Sequence, residues 1–263
     1  MMTTLFETTV QAPRGVVLVT HGLNNKPEAM DALIRVLVRE GLHCLRISLY
    51  RDAPDAPADS RAITDGWISD FTQAYDELRA RYPRQPIYNV GYSLGALVAI
   101  RCLQIRPALT FDRMVLLAPP VAITRSANLV RLLTPLARVG LALPSVAPAE
   151  IRARRGTPLA EYAAMFGLVD AVQTLDGHEN IRNIQTRVFL DAEDEMVRYA
   201  GVLDWIATNR LAWVAETLRR RLPTARPYRH LMISETSLGR PAWEDLTADI
   251  VTHFTEPAPV PES

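Results

Sequence analysis

The sequence has little cysteine, almost no lysine and no excess of charge of either sign. Cys44 and Cys102 are its only cysteines, and both lie inside apolar segments, which favours two buried thiols over a disulfide. Lys26 is the only lysine among 29 basic residues, and 29 acidic residues bring the formal net charge to zero. This balance argues against a nucleic-acid-binding protein, which would carry a basic excess, and against an acidic disordered chain.

Long apolar segments and targeting patterns are also missing. No stretch approaches the roughly 20 apolar residues that span a bilayer, and the longest candidate, NLVRLLTPLARVGLALP, is interrupted by Arg131 and Arg138. The first residues, MMTTLFETTVQAPRG, lack the charged-then-apolar pattern of a secretory signal, so we expect a cytoplasmic protein. Neither HExxH nor paired cysteines occur, and we expect no metal and no cofactor.

Short apolar runs alternate with segments of helical spacing along most of the chain, and these patterns predict buried strands and amphipathic helices. The predicted strands are 15–20, 42–50, 86–90, 113–120, 186–194 and 211–218. The predicted helices begin at Pro27, near Thr64–Asp65, directly after GYSLG, near Tyr199 and near Pro241. The alternation predicts an α/β fold with an open, mainly parallel, doubly wound sheet.

The segment 121–185 lies between two predicted strands and shows no obvious strand of its own. Two apolar stripes at helical spacing predict helices within it. The first stripe is Leu129, Leu132, Leu133 and Leu136, and the second is Tyr162, Met165, Phe166 and Val169. We interpret 121–185 as a helical cap inserted into one domain, residues 1–255, which a flexible tail, 256–263, follows.

The pentapeptide GYSLG, residues 91–95, lies between a predicted strand and a predicted buried helix. In an open α/β sheet, functional residues gather at the carboxyl ends of the strands. There a Gly-x-Ser-x-Gly turn lets strand and helix approach closely at Gly91 and Gly95, while Ser93 is held strained and exposed. The alternative, a strand end in a nucleotide-binding fold, would need another glycine pattern and a later acidic residue. The motif therefore predicts that Ser93 is a nucleophile.

From GVVLVTHGLNN to the final helix the sequence resembles the α/β-hydrolase family, in particular lysophospholipase- and esterase-like members with a helical cap. The resemblance implies that two backbone N–H groups hold the oxyanion, that of Leu23 in THGLNN and that of Leu94 after the nucleophile. It also implies that His21 shapes the loop and is not the base. LYRDAP replaces the Gly-His-Gly turn of many members, so their substrate specificity cannot be transferred to this chain.

The resemblance places the acid of a catalytic triad just after the strand that follows the cap, in a pattern like Gly-x-x-Asp. In FLDAEDEMV, Asp194 aligns with this acid and Asp191 stands where the family usually has glycine. Met196 and Val197 follow Asp194 as in the family pattern, which favours Asp194. The other carboxylates of the segment remain alternatives: Asp191, Glu193 and Glu195.

The base of the triad is expected to follow the acid in the chain, in the order Ser…Asp…His. His43 lies within a predicted strand, His178 precedes the acid, and His253 belongs to the last helix. His230 follows the last predicted strand by a loop and precedes the apolar LMIS, which is where catalytic histidines of the family occur. Arg229 stands where the family often has glycine, so the match is partial.

These residues together predict a serine hydrolase of carboxylic esters or thioesters, with an acyl-chain or other apolar substrate. Ser93 would attack the carbonyl, His230 would take and return its proton, and Asp194 would hold the imidazole. The alternative is a non-catalytic, ligand- or partner-binding protein with a relic site, favoured by LYRDAP and the ambiguous acid. We expect a small-molecule substrate, no nucleic acid, no membrane-spanning segment and at most a transient contact of the cap with lipid. The oligomeric state stays open.

Overall fold

The computed structural model describes residues 2–49, 59–218 and 228–256. Most of the loop RDAPDAPADS, most of LYRDAP, the polar loop before Tyr228 and the tail 257–263 lie outside the described residues. The strands are β1 Met2–Phe6, β2 Gly15–Thr20, β3 Leu42–Ser48, β4 Ile87–Tyr92, β5 Arg113–Leu117, β6 Ala142–Pro144, β7 Gly156–Pro158, β8 Gln185–Leu190 and β9 Val214–Thr217. The α-helices are α1 Asp31–Arg39, α2 Ser60–Arg81, α3 Leu94–Ile105, α4 Arg125–Asn128, α5 Leu159–Ala171, α6 Glu179–Arg182, α7 Tyr199–Thr208, α8 Glu235–Leu238 and α9 Arg240–Thr255. Two 3₁₀ helices span Pro27–Met30 and Leu129–Val139.

Seven of these strands form one sheet in the order β1-β3-β2-β4-β5-β8-β9. Every neighbouring pair is parallel except β1 and β3, which are antiparallel with Leu5 opposite Leu45. The predicted mainly parallel α/β sheet is therefore confirmed. β1 has no counterpart among the predicted strands. MTTLF is short and carries two adjacent threonines, and it lies at the edge of the sheet, where a strand is less buried and its sequence needs fewer apolar residues.

The hydrophobic core lies at the centre of this sheet and around α3. All of β2 is buried, and α3 is buried from Leu94 to Leu103 except at Arg101. The helices form two groups on the sheet: α1 packs with α9, and α2 packs with α3 and α5. This grouping fits a doubly wound arrangement. The burial of α3 also confirms the prediction from its almost entirely apolar sequence.

The start of α2 differs from the prediction. The helix begins at Ser60, four residues before the predicted start at Thr64. Asp59 caps it by accepting a hydrogen bond from the backbone N–H of Arg61. Asp59 belongs to a stretch rich in Pro and Asp, a composition that predicts a loop. An Asp at the end of such a loop can still accept from an unpaired backbone N–H group in the first turn of the helix that follows.

The insertion between β5 and β8 contains α4, the second 3₁₀ helix, α5, α6 and the two-stranded antiparallel sheet of β6 and β7. The expectation of no strand in 121–185 is wrong, because two three-residue strands are too short to show alternation. The second apolar stripe is largely buried in the core. The first stripe is exposed, with 64% of Leu129 and 75% of Leu132 accessible, so it neither covers the sheet nor packs against the second stripe as a whole.

Candidate active site

Ser93 occupies the turn between β4 and α3, at the carboxyl end of a central strand. Its backbone has φ 50° and ψ −114°, a region that residues other than glycine rarely occupy and that costs on the order of 1–3 kcal/mol. The backbone N–H of Ser93 donates to the carbonyl of Leu117 in β5, 2.9 Å away. The strained turn is thus tied to the sheet, and the Ser93 side chain caps no backbone group of the helix.

The two glycines of GYSLG are required by the close approach of strand and helix. A Cβ on Gly91 would lie 2.8 Å from backbone atoms of Ala96. A Cβ on Gly95 would lie 2.6 Å from the backbone oxygen of Thr20 in β2. Both distances are shorter than van der Waals contact, and both neighbours are backbone atoms that cannot turn aside.

Gly95→Ala should therefore destabilise the protein, although alanine is the better helix former. We expect the free energy of unfolding to fall by about 1–3 kcal/mol, because α3 must move away from β2. The measurement is a urea titration followed by circular dichroism.

Gly167→Ala is the matched control, since Gly167 lies inside α5 and a Cβ there meets nothing within 4 Å. This variant should gain about 0.5–1 kcal/mol from helix propensity alone. A gain of the same size in Gly95→Ala would show that α3 and β2 do not approach this closely in solution.

His230 and Asp194 extend a hydrogen-bonded line from Ser93. His230 Nε2 lies 2.8 Å from Ser93 Oγ, and His230 Nδ1 lies 2.9 Å from Asp194 Oδ2. The other oxygen of Asp194 accepts from the backbone N–H groups of Met196 at 2.7 Å and Val197 at 2.9 Å. Oδ2 is thus the oxygen left for His230. An imidazole with its proton on Nδ1 presents a free Nε2 lone pair to the serine hydroxyl, which suits it to act as a base.

The rival carboxylates have other partners than the His230 ring, and Glu195 accepts from the backbone N–H of His230 instead. Asp191 is buried, accepts from the backbone N–H of Glu193 at 2.9 Å, and lies 4.0 Å from an Arg229 nitrogen. Arg229 also pairs with Glu193 at 3.0 Å. The two positions at which the sequence departs from the family's glycines, Asp191 and Arg229, therefore lie near each other. The structure brings Asp194, not Asp191, to His230.

None of the other histidines that the sequence offers lies at Ser93. His43 accepts from the backbone N–H of Thr8 and stacks on Tyr82. His253 is buried in α9 with Nε2 3.1 Å from the carbonyl of Met114, and burial lowers its pKa to about 4. His178 precedes the short helix α6.

The loop after β2 lies beside Ser93 and carries His21 and Leu23. His21 Nδ1–H donates to the carbonyl of Gly22 at 2.8 Å, and Nε2 accepts from the N–H of Leu49 at 3.0 Å. Burial lowers the pKa of His21 to about 4, so the ring is neutral near pH 7 and can make both bonds. Among the described residues, the backbone N–H groups of Leu23 and Leu94 have no hydrogen-bond partner. Each is therefore available to an oxyanion.

A cavity of about 100 Å³ opens beside Ser93 and His230. The insertion supplies part of its wall through Val146, Tyr162 and Met165. A second cavity of about 370 Å³ shares Tyr228 and Leu231 with the first. The wall of the first cavity is mostly apolar, as expected of a site for small organic molecules.

Tyr92 and Glu195 contact the backbone of His230, and Thr124 contacts Glu195 in turn. The sequence predicted this role for none of the three, and Glu195 was named only as an alternative for the acid. Tyr92 donates its hydroxyl to the backbone carbonyl of His230 at 3.2 Å. Glu195 accepts from the backbone N–H groups of Arg229 and His230, and Thr124 donates to the carbonyl of Glu195. Tyr92 lies within GYSLG and Glu195 follows Asp194, so the only sequence signal for these two residues was that each is next to a predicted triad residue. No sequence signal pointed to Thr124.

The structure gives no indication of a metal site or a membrane span in the described part of the chain. No group of three or more His, Cys, Asp or Glu side chains there could hold a metal ion. None of the described helices is long and apolar enough to cross a membrane. Cys44 and Cys102 are buried and free, and burial raises the pKa of both thiols.

Several solved structures share this fold. The monoacylglycerol lipase of Paleococcus ferrophilus is 15% identical, with a TM-score of 0.68 over 97% of this chain and 98% of that one. The Saccharomyces cerevisiae monoglyceride lipase is 10% identical, with a TM-score of 0.69 over 96% and 89%. A carboxyl esterase from Bacillus coagulans is 12% identical, with a TM-score of 0.63 over 95% and 92%. These likenesses confirm the α/β-hydrolase fold.

Sequence comparison identifies the family. No curated protein matches the sequence, but a family model described as serine aminopeptidase, S33, matches residues 11–205. The match covers well over half of the chain, from the segment before β2 into α7, and includes GYSLG and Asp194. The chain therefore belongs to the serine aminopeptidase S33 family of α/β-hydrolase enzymes.

Proposed function

We propose that this serine hydrolase cleaves carboxylic esters or thioesters through an acyl-enzyme formed on Ser93. The observation that carries the proposal is the unbroken line from Ser93 Oγ through His230 to Asp194, with both contacts under 3 Å. The lipases and the esterase that share the fold support an ester as the substrate class.

In this mechanism the Ser93 hydroxyl gives its proton to His230 Nε2 as its oxygen attacks the substrate carbonyl. Asp194 keeps the second imidazole proton on Nδ1 and stabilises the positive charge that develops on the ring. The backbone N–H groups of Leu23 and Leu94 donate to the oxyanion, an effect worth a few kcal/mol in such sites. His230 then protonates the leaving group, and water, activated by the same nitrogen, releases the acid.

An ester fits the cavity better than the peptide that the family's description suggests. An aminopeptidase must bind the positively charged amino terminus of its substrate, which calls for an anionic side chain. Glu195 is the only carboxylate among the described residues that line the cavity. Its oxygens already accept the backbone N–H groups of Arg229 and His230. The remaining wall is mostly apolar and offers an ammonium group little compensation for lost hydration.

The non-catalytic alternative is the weaker interpretation. A relic site needs no strained serine, yet Ser93 is held at positive φ with its hydroxyl on His230. Such strain persists where it serves a function. The ambiguity of the acid, which favoured this alternative, is reduced by the contact between Asp194 and His230.

We also propose that the insertion makes a transient contact with lipid or with aggregated apolar substrate. The second 3₁₀ helix exposes Leu129, Leu132, Leu136 and Val139, and a cluster of exposed apolar side chains is typical of an interaction surface. Arg125 and Arg138 are exposed beside them and could meet an anionic head group. Arg131 is already engaged by both oxygens of Asp170.

A fluorophosphonate probe and two chromogenic substrates test the proposed function. The probe should add to Ser93 alone, as located by peptide mass spectrometry. A p-nitrophenyl ester should be hydrolysed far faster than an aminoacyl p-nitroanilide at the same concentration. Absence of labelling would contradict the serine hydrolase mechanism. Labelling together with faster hydrolysis of the anilide would keep the mechanism and contradict only the ester as substrate class.

Lengthening the acyl chain of the substrate should raise kcat/KM at first, and the rise should stop at a short chain. Each methylene buried against the apolar wall contributes up to about 0.8 kcal/mol, so kcat/KM should rise several-fold per two carbons from acetate. The rise should end at a short chain, because a cavity of about 100 Å³ is smaller than the roughly 300–1,000 Å³ of drug-sized pockets. A p-nitrophenyl ester series from acetate to palmitate measures this profile.

Met165→Ala enlarges the cavity and should move the optimum towards longer chains, whereas Leu141→Ala, an exposed position of the same insertion, should not. The ratio of kcat/KM between two esters within one variant does not depend on how much of the protein is folded. A profile that is flat or falls from acetate onwards would contradict an acyl-chain site.

A further inference from the structure

The segment that carries His230 has no regular structure of its own. Residues 228–234 form neither helix nor strand. A histidine on such a segment keeps its place only through contacts with other parts of the protein. Catalytic geometry tolerates little error, since a displacement of about 1 Å can cost on the order of a hundredfold in rate.

Glu195 supplies two of these contacts. Its Oε2 accepts from the backbone N–H of Arg229 at 2.9 Å and from that of His230 at 3.3 Å. Its Oε1 lies 3.4 Å from the same His230 nitrogen. A carboxylate that accepts from backbone N–H groups forms charge-assisted hydrogen bonds, which are stronger than those to a neutral acceptor. Neighbouring residues, Asp194 and Glu195, thus hold the ring and the backbone of one histidine.

Glu195 is itself fixed by the insertion. Its backbone carbonyl accepts from Thr124 Oγ1 at 2.8 Å, and the N–H of Thr124 donates to the carbonyl of Met196 at 3.0 Å. Ile123 and Val197 form an isolated antiparallel bridge beside these bonds. The loop that carries the acid therefore has a defined position from which Glu195 can hold the next segment.

We propose that Glu195 is a positioning residue, which acts by fixing the backbone of Arg229 and His230 so that the imidazole stays between Asp194 and Ser93. The inference rests on the proposed serine hydrolase function. Tyr92 complements Glu195 at the next peptide, because its hydroxyl donates to the carbonyl of His230. Glu195 thus contributes to turnover without contacting the reacting atoms.

Three variants of the full chain test this role. Glu195→Ala removes both bonds, and Glu195→Gln keeps an amide oxygen that can accept from Arg229. Glu193→Ala removes the same charge from the same loop, but the Glu193 side chain is largely exposed and, within the described part of the chain, its salt-bridge partner is the Arg229 guanidinium. We measure kcat, KM, the rate of fluorophosphonate labelling and the thermal unfolding midpoint of each.

In Glu195→Ala, kcat and the labelling rate should fall about tenfold to a hundredfold, with KM changed less than about threefold. Glu195→Gln should recover most of kcat, and Glu193→Ala should stay within about threefold of the parent. Equal kcat in Glu195→Ala and the parent, or no recovery in a folded Glu195→Gln, would overturn the positioning role. An equal loss in Glu193→Ala would assign the effect to charge and also overturn it. An unlabelled, inactive parent would instead contradict the proposed function.

Discussion

Ser93→Ala should abolish fluorophosphonate labelling and lower ester hydrolysis by about three to six orders of magnitude. The serine oxygen forms the covalent bond to the acyl group, and neither His230 nor the oxyanion donors can replace it. Residual turnover should reflect water attack within the intact site. The measurement is kcat/KM for a p-nitrophenyl ester, with the concentration of parent and variant taken from absorbance and labelling by the probe recorded separately.

Folding should survive this substitution. The Ser93 hydroxyl bonds to His230 Nε2 and caps no backbone group of α3. Alanine keeps the positive φ at a similar cost, so the free energy of unfolding should change by less than about 1 kcal/mol. Ser69→Ala in α2, away from the site, is the control for loss of a serine. Ser93→Ala with the turnover of the parent would refute the hydrolase mechanism.

The central sheet could be predicted from the sequence because its strands are buried on both faces. Such strands read as continuous apolar runs, as GVVLVT does. The strands that were missed, β1, β6 and β7, are short and lie at an edge or on the insertion. Apart from the buried Thr157, the residues of these strands whose burial is described are partly buried or exposed, and such positions impose no strong pattern on the sequence.

The insertion shows a second limit of prediction from apolar spacing. The stripes Leu129–Leu136 and Tyr162–Val169 look equally apolar in the sequence, yet the first is exposed and the second is largely buried. Spacing predicts that residues share a face, but it does not predict what that face meets. The exposure of the first stripe follows from tertiary packing that no local signal records.

The sequence predicted the three residues of the candidate site and their order along the chain, but it predicted few of the contacts between them. GYSLG, FLDAED and the loop before LMIS lead to Ser93, Asp194 and His230, which the structure brings together. Their catalytic roles, and those of the Leu23 and Leu94 amides, stay predictions. The choice between Asp191 and Asp194 needed the structure, because their spacing does not fix which side chain points to His230. Contacts of Glu195 with backbone N–H groups leave no trace in a sequence.

Asp194→Asn should lower kcat by about four orders of magnitude, for a reason visible in the hydrogen bonds of the side chain. One oxygen of Asp194 accepts from the backbone N–H groups of Met196 and Val197. An asparagine would keep its only oxygen there and turn its NH₂ group towards His230 Nδ1. The ring would then carry its proton on Nε2 and could not accept the proton of Ser93.

Asp191→Asn is the matched control, because it makes the same change of charge at another buried aspartate of the same loop. It should cost less than about tenfold in kcat, since Asp191 does not contact His230 and accepts from the backbone N–H of Glu193, which the asparagine oxygen can also do. Turnover of both variants is compared at several pH values, with folding checked by circular dichroism. The reverse ranking would show that Asp191, not Asp194, orients the imidazole during turnover, and that the contact between Asp194 and His230 belongs to an unreactive arrangement.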